Sequence, residues 1–243
     1  MTLLTLFIAV LLGLVHLVGG RFSFLEIEPR SRWLSAAGGV TVAFVFLFLL
    51  PELADFGQVL LAHHELGLVE ELIYLTAAGG VVLFYGLEHL AFHARPHHQK
   101  ADPDEPPFGH DYVFWVHMAW YALYNTIIGV LLSYGAQETI AGLSIYGLAM
   151  AIHFAVIDAT MRNHHRHVYR ATGRWLLAIA ILVGWAVGAF LSIPSFVLAL
   201  ITAFLVGAML VNAVKDELPS GKETRFTPFL VGALISAALL MLL

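Results

Sequence analysis

Every lysine and arginine in this chain falls into four short stretches, with eight apolar runs between and around them. The runs cover residues 3–20, 33–50, 72–92, 112–134, 139–161, 175–191, 195–214 and 226–243. A helix that crosses a bilayer needs about 20 mostly apolar residues, within a working range of roughly 17–25, and each run meets that length. The runs are far too long for barrel strands, and only helices or closed barrels satisfy their backbone in lipid. Charged residues make up 12% of the chain and hydrophobic ones 60%. Soluble domains carry about 25% charge, so a water-facing sphere is excluded. The expectation is an all-α integral membrane protein: one transmembrane domain, an eight-helix bundle with short connections.

The charges also orient it. With eight spans, the first, third, fifth and seventh connections share one side. They hold Arg21, Arg30 and Arg32; Arg95 and Lys100; Arg162, Arg166, Arg170 and Arg174; and Lys215, Lys222 and Arg225. Cytoplasmic loops collect such residues, which places both termini outside a plasma (inner) membrane. A miscounted helix would scramble the alternation. The first run has no basic residue before it, unlike a secretory signal, and reads as a retained helix. A net charge of −5 with no basic patch argues against nucleic-acid binding, and the absence of cysteine removes thiolate and disulfide chemistry. The longest connection, residues 94–111, carries His97, His98 and His110 with Asp102, Asp104 and Glu105. It is either a solvated linker or a His-rich cytoplasmic loop that captures a divalent cation loosely.

Two ends echo each other. Leu49-Leu50-Pro51-Glu52 closes the second run on the outer side, and Glu217-Leu218-Pro219 closes the seventh on the inner side. An inverted repeat would place them so, as would two ordinary helix stops.

Taken together, eight helices, outside termini and a His-bearing loop after the third helix resemble the ZIP family of divalent-metal transporters. The string Arg32–Leu53 is similar to that family's second helix. Leu123–Gly129 is similar to its fourth-helix motif, His-Asn-x-x-Asp-Gly, and His153–Asp158 to its fifth-helix motif, His-Glu-x-Pro-His-Glu. The stretch Leu210–Leu234 is similar to its last two helices. The resemblance implies a 3+2+3 inverted-repeat bundle. It implies a divalent metal ion as substrate, zinc first, and transport rather than catalysis. It places Asn125, His153 and Asp158 at retained ligand positions. Tyr124 and Ile128 stand where the fourth helix would carry His and Asp. Phe154, Val156 and Ile157 replace Glu, Pro and His on the fifth. That remnant is too small for a two-metal centre.

Each ionisable group within a span costs about 2.5–3.5 kcal/mol on insertion scales, which makes it a functional hypothesis. His153 lies about 12 Å from the inner boundary at 1.5 Å per residue; it is a candidate metal ligand or a histidine bonded to a neighbouring helix. Asp158 is a candidate ligand, or the ion-pair partner of Arg162 four residues on. Asn125 either binds metal or bridges helices. His117, Tyr121 and Asn125 recur every four residues, a polar stripe that should face the bundle. Glu88, His89 and His93 end the third run, and the two histidines could chelate one metal or sit at the interface. His164, His165 and His167 lie among arginines and suit lipid headgroups. Gly184 and Gly188 form a close helix contact or a homodimer face. By depth, His16, Glu88, His89, His117, Asp158 and Asn212 all lie in the inner half. The expectation is one hydrated, cytoplasm-facing cavity with His117 and Asp158 closest, against separate groups that each snorkel outward.

Three functions compete on these readings. They are a ZIP-like carrier of zinc or a related cation in the lipid bilayer, a transport-inactive relative acting as a sensor or assembly partner, and an intramembrane metallohydrolase using His89 and His93.

Overall fold

The eight apolar runs become eight helices among the described residues, which in a computed structural model are 2–19, 32–63, 69–93, 108–134, 139–164, 168–217 and 225–241. In chain order they are α1 (Thr2–Val18), α2 (Arg32–Phe44, continued by a π-helical stretch at Val45–Leu49 and by Leu50–His63), α3 (Val69–His93), α4 (Phe108–Tyr134), α5 (Ile140–His164), α6 (a π-helical stretch at Tyr169–Gly173 running into Arg174–Phe190), α7 (Ser195–Glu217) and α8 (Phe226–Leu240). Arg32–Gly57, Phe114–Tyr134, Ile140–Arg162, Tyr169–Phe190 and Ser195–Ala213 are long and apolar enough to cross a bilayer; Thr2–Val18, Glu71–Leu87 and Phe226–Leu240 are shorter apolar helices. The chain is a multi-pass membrane protein. Leu3, Phe7, Leu75, Phe190 and Leu234 stand exposed on its outside, as suits side chains solvated by lipid. The loop 94–107 and the histidines 165 and 167 lie outside the described residues.

The helices form two sets. In one, α4 packs along α6, and α1 lies against α6, α5 and α4; in the other, α2 packs along α8, α3 along α7, and α2 against α7. The sets meet where α2 touches α5 and where α7 touches α4.

One correction concerns α2. Leu50-Pro51-Glu52 does not stop it: the helix passes straight through and reaches His63. Proline inside a helix lacks an N–H and its ring collides with the carbonyl four residues back. The π-helical stretch accommodates this by widening the turn just before Pro51, so that the Leu50 N–H bonds to Val45 O, five residues away. Proline and π-helical turns are both recognised sites of departure from a regular helix.

Glycine sets the closest helix contacts. On α2 and α3 the string Ala-Ala-Gly-Gly-Val occurs at 36–40 and again at 77–81; on α7 and α8 the string Phe-Leu-Val-Gly-Ala occurs at 204–208 and again at 229–233. The structure brings one of each together twice. A Cβ on Gly39 would strike the Phe229 carbonyl, and one on Gly232 the Ala36 carbonyl. A Cβ on Gly80 would likewise strike Phe204 O, and one on Gly207 Ala77 O. The α4–α6 crossing repeats the geometry, with Gly129 on Ile181 O and Gly184 on Thr126 O. Every glycine meets the carbonyl three residues before its partner glycine. Without a hydrophobic drive between helices in lipid, such backbone approach is the main source of association. Gly184 and Gly188, expected as a close contact or a dimer face, are spent inside the chain against α4.

Candidate functional site

The polar stripe of α4 does face inward: His117, Tyr121 and Asn125 are all buried. At its C-terminal end Asn125 is oriented by its own helix, since its Nδ2 donates to Tyr121 O at 2.7 Å. A carbonyl only accepts, so the amide cannot be reversed and Oδ1 must face away from Tyr121. It faces His16 of α1, whose Nε2 lies 2.9 Å away. Nε2 therefore carries a hydrogen. The other ring nitrogen, Nδ1, lies 2.8 Å from Asp158 Oδ1 of α5. One further proton sits in that second bond, and the pair is net neutral whichever atom holds it.

Three more groups complete the cluster. The Tyr169 hydroxyl, at the start of α6, donates to the same Asp158 oxygen. Phe154 stacks on the His16 ring with centroids 4.6 Å apart. Arg162 turns away from Asp158 and gives Nη1 to Gly19 O at 2.8 Å, so the ion pair expected from their i, i+4 spacing is replaced by His16–Asp158. The reason is position. Asp158 points into the bundle and is 1% exposed, as is His16, whereas Arg162, one turn on, is only half-buried and caps the carbonyl end of α1, where a cation is favoured. The second carboxylate oxygen, Asp158 Oδ2, has no hydrogen-bond partner; a Cβ on Gly19 would press against it.

Beside this cluster lies a second pair. His153 is buried, and its Nε2 bonds the Tyr124 hydroxyl at 3.0 Å, while Nδ1 has no hydrogen-bond partner. Tyr124 thus holds the histidine one residue before Phe154.

The structure gathers some expected site residues and separates others. Asn125 and Asp158 meet through His16, and His153 is adjacent. His117 is buried two turns before Asn125 on α4, and the partners that hold Asp158 are His16 and Tyr169. His89 is exposed on α3, stacked with Tyr85 at 6.2 Å between centroids, which takes it out of the centre. The Glu88 and His93 side chains lie outside the described residues. Asn212 is buried on α7, its Oδ1 without a hydrogen-bond partner. The side chains of the cluster that does form, His16, Asn125, Asp158 and Tyr169, are all buried. Among the described residues no group of three or more His, Asp or Glu stands close enough to hold a metal ion.

Two participants were not among the candidate ligands, although His16 was expected at the shared inner cavity. His16 entered the sequence reading by its depth alone. Tyr169, in the connection before the sixth run, was not singled out, although Tyr169, Gly173 and Leu177 are all buried and their spacing of four, readable in the sequence, marks a helix face. No protein-family model matches this chain, and no curated protein matches it.

Proposed function

We propose that this chain is a ZIP-like membrane transporter of a divalent metal cation, zinc or a related transition metal, with Asn125 and Asp158 as the oxygen ligands of its centre. The observation that carries the reading is the buried carboxylate–imidazole–amide cluster drawn from α5, α1 and α4. A carboxylate sequestered in a span is costly enough that it persists for a task, and this one keeps a free oxygen. The repeated glycine crossings lend support. Consecutive spans run in opposite directions, so α2–α8 and α3–α7, built from the same two strings, are inverted copies of one unit. Carriers are commonly built from such repeats, with the substrate site between them.

The test is reconstitution of the full chain in proteoliposomes enclosing a zinc-sensitive dye. Zinc entry above that of protein-free vesicles is expected, and Asp158→Asn, checked for a monodisperse elution profile, should abolish it. Wild-type vesicles no more permeable than empty ones to zinc, cobalt and manganese would remove the transport reading.

A second reading, a transport-inactive relative that serves as a sensor or assembly partner, is favoured by one specific observation. Asn125 Oδ1 and Asp158 Oδ1 are already hydrogen-bonded to His16, which leaves only Asp158 Oδ2 for a metal. The metallohydrolase reading loses support because His89 lies on the outside of α3.

A further inference from the structure

We infer that the end shared by α2 and α8 is a binding site for an anionic phospholipid, with Arg32 and Arg225 taking one headgroup phosphate between them. The site lies apart from the buried cluster, and the inference stands whether or not the chain carries a metal.

The crossing of the two helices fixes the geometry. They are the second and eighth spans, so both start at the membrane face where the lysines and arginines gather. Their backbones meet at Gly39 and Gly232. Arg32 lies seven residues before Gly39, and Arg225, where α8 begins, lies seven before Gly232. Seven residues make two turns to within about 20° and rise about 10.5 Å. Each arginine therefore sits on the side of its helix that faces the other, at a common depth, past the end of the seam. Both are exposed, and among the described residues neither guanidinium has a hydrogen bond or ion pair. Two such cations repel each other until an anion lies between them, and their planar donor sets match the oxygens of a phosphate.

The neighbouring residues say which phosphate. Each arginine is followed by an exposed aromatic ring, Trp33 on α2 and Phe226 on α8, and tryptophan settles at the headgroup level of a bilayer. Beyond Phe226, Leu230 and Leu234 continue one exposed apolar face of α8 into the membrane. An acyl chain can lie along that face while its headgroup stays at the arginines; a free phosphate would gain nothing from it. The α3–α7 crossing is a control within the molecule. Seven residues before Gly80 and Gly207 stand Ile73 and Leu200, so that end offers no cation pair. Anionic lipids give the cytoplasmic leaflet its negative potential, and that is the side on which the basic connections are expected.

The experiment reconstitutes the full chain in phosphatidylcholine vesicles and compares tryptophan quenching by brominated phosphatidylglycerol and brominated phosphatidylcholine. The second lipid carries the same phosphate with a cation beside it. The background is Trp115→Phe with Trp175→Phe, which leaves Trp33 as the exposed tryptophan. Each arginine near anionic lipid contributes about fivefold in affinity, so phosphatidylglycerol should be preferred by roughly 25-fold. Arg32→Gln together with Arg225→Gln should remove the preference, and either alone should leave about fivefold. Arg170→Gln, at an exposed arginine on the same membrane face, should leave it intact. Salt at about 1 M, where the Debye length is about 3 Å, should weaken the preference in the tryptophan background, a measurement that does not depend on the arginine variants folding. Equal quenching by the two lipids overturns the inference, as does a preference that survives the double variant or salt, or one that Arg170→Gln also removes. Inorganic phosphate in the buffer should change nothing; if it abolishes the preference, the site takes a free anion and the inference fails.

Discussion

The two helix sets solve the same problem by different means. In α2, α3, α7 and α8 the contacts are backbone against backbone, at glycines where a single methyl would strike a carbonyl. In α1, α4, α5 and α6 the α4–α6 seam uses the same device, but α1 reaches α4 and α5 through one imidazole. Backbone crossings have no alternative partner and no spare donor. A histidine ring with two nitrogens can exchange one partner for another. The glycine set is thus suited to stay rigid and the polar set to rearrange, which is the division expected where one part of a bundle moves against another.

The comparison can be broken most directly at Asp158. Asp158→Ala should destabilise the fold by about 3–5 kcal/mol, the usual cost of removing one partner of a buried pair, read as a lower melting temperature in detergent. The double variant His16→Ala with Asp158→Ala should cost little beyond the single, because the two side chains act as a unit. If the two costs simply add, the polar set is not held by that pair. Next comes Gly207→Ala, which puts a methyl on Ala77 O and should cost about 1–3 kcal/mol; its mirror, Gly232→Ala, should cost a similar amount, and a large inequality would show that the two crossings are not equivalent. Tyr169→Phe removes one hydrogen bond to the buried carboxyl group and should cost at most about 3 kcal/mol, read as a lower melting temperature. The smallest effect should come from Gly79→Ala. It neighbours Gly80 in the same string, yet a Cβ there meets nothing within 4 Å, so the helix should gain about 0.5–1 kcal/mol. Loss of stability at Gly79 would mean that its open face is covered by something outside this chain.

Much of this architecture was legible in the residues. The runs 139–161 and 195–214 became Ile140–His164 and Ser195–Glu217, because length and hydropathy alone decide a span. Asn125 and Asp158 stood out because lipid makes each polar group conspicuous. What stayed hidden depended on partners remote in the chain. Nothing local says that His16 lies between residues more than a hundred positions away, or that Arg162 prefers the end of α1 to the aspartate one turn back. Pro51 looked like a terminus because its local cost is large, and only the π-helical stretch before it shows how the cost is met. The repeated glycine strings could be read directly; which string meets which could not.

That uninterrupted second helix has a mechanical consequence. Residues 32–63 form a rod of roughly 48 Å at 1.5 Å per residue, against a hydrocarbon core of about 30 Å. Tilts of membrane helices run up to about 40°, too little to hide the difference. One end of the rod must leave the hydrocarbon core, like an oar through a rowlock, with the π-helical stretch near the pivot. Asp55, exposed beyond that stretch, lies near the end of the apolar span Arg32–Gly57, at the root of that arm. A spin label there would sit where the rod leaves the core, a natural place to watch the helix tilt.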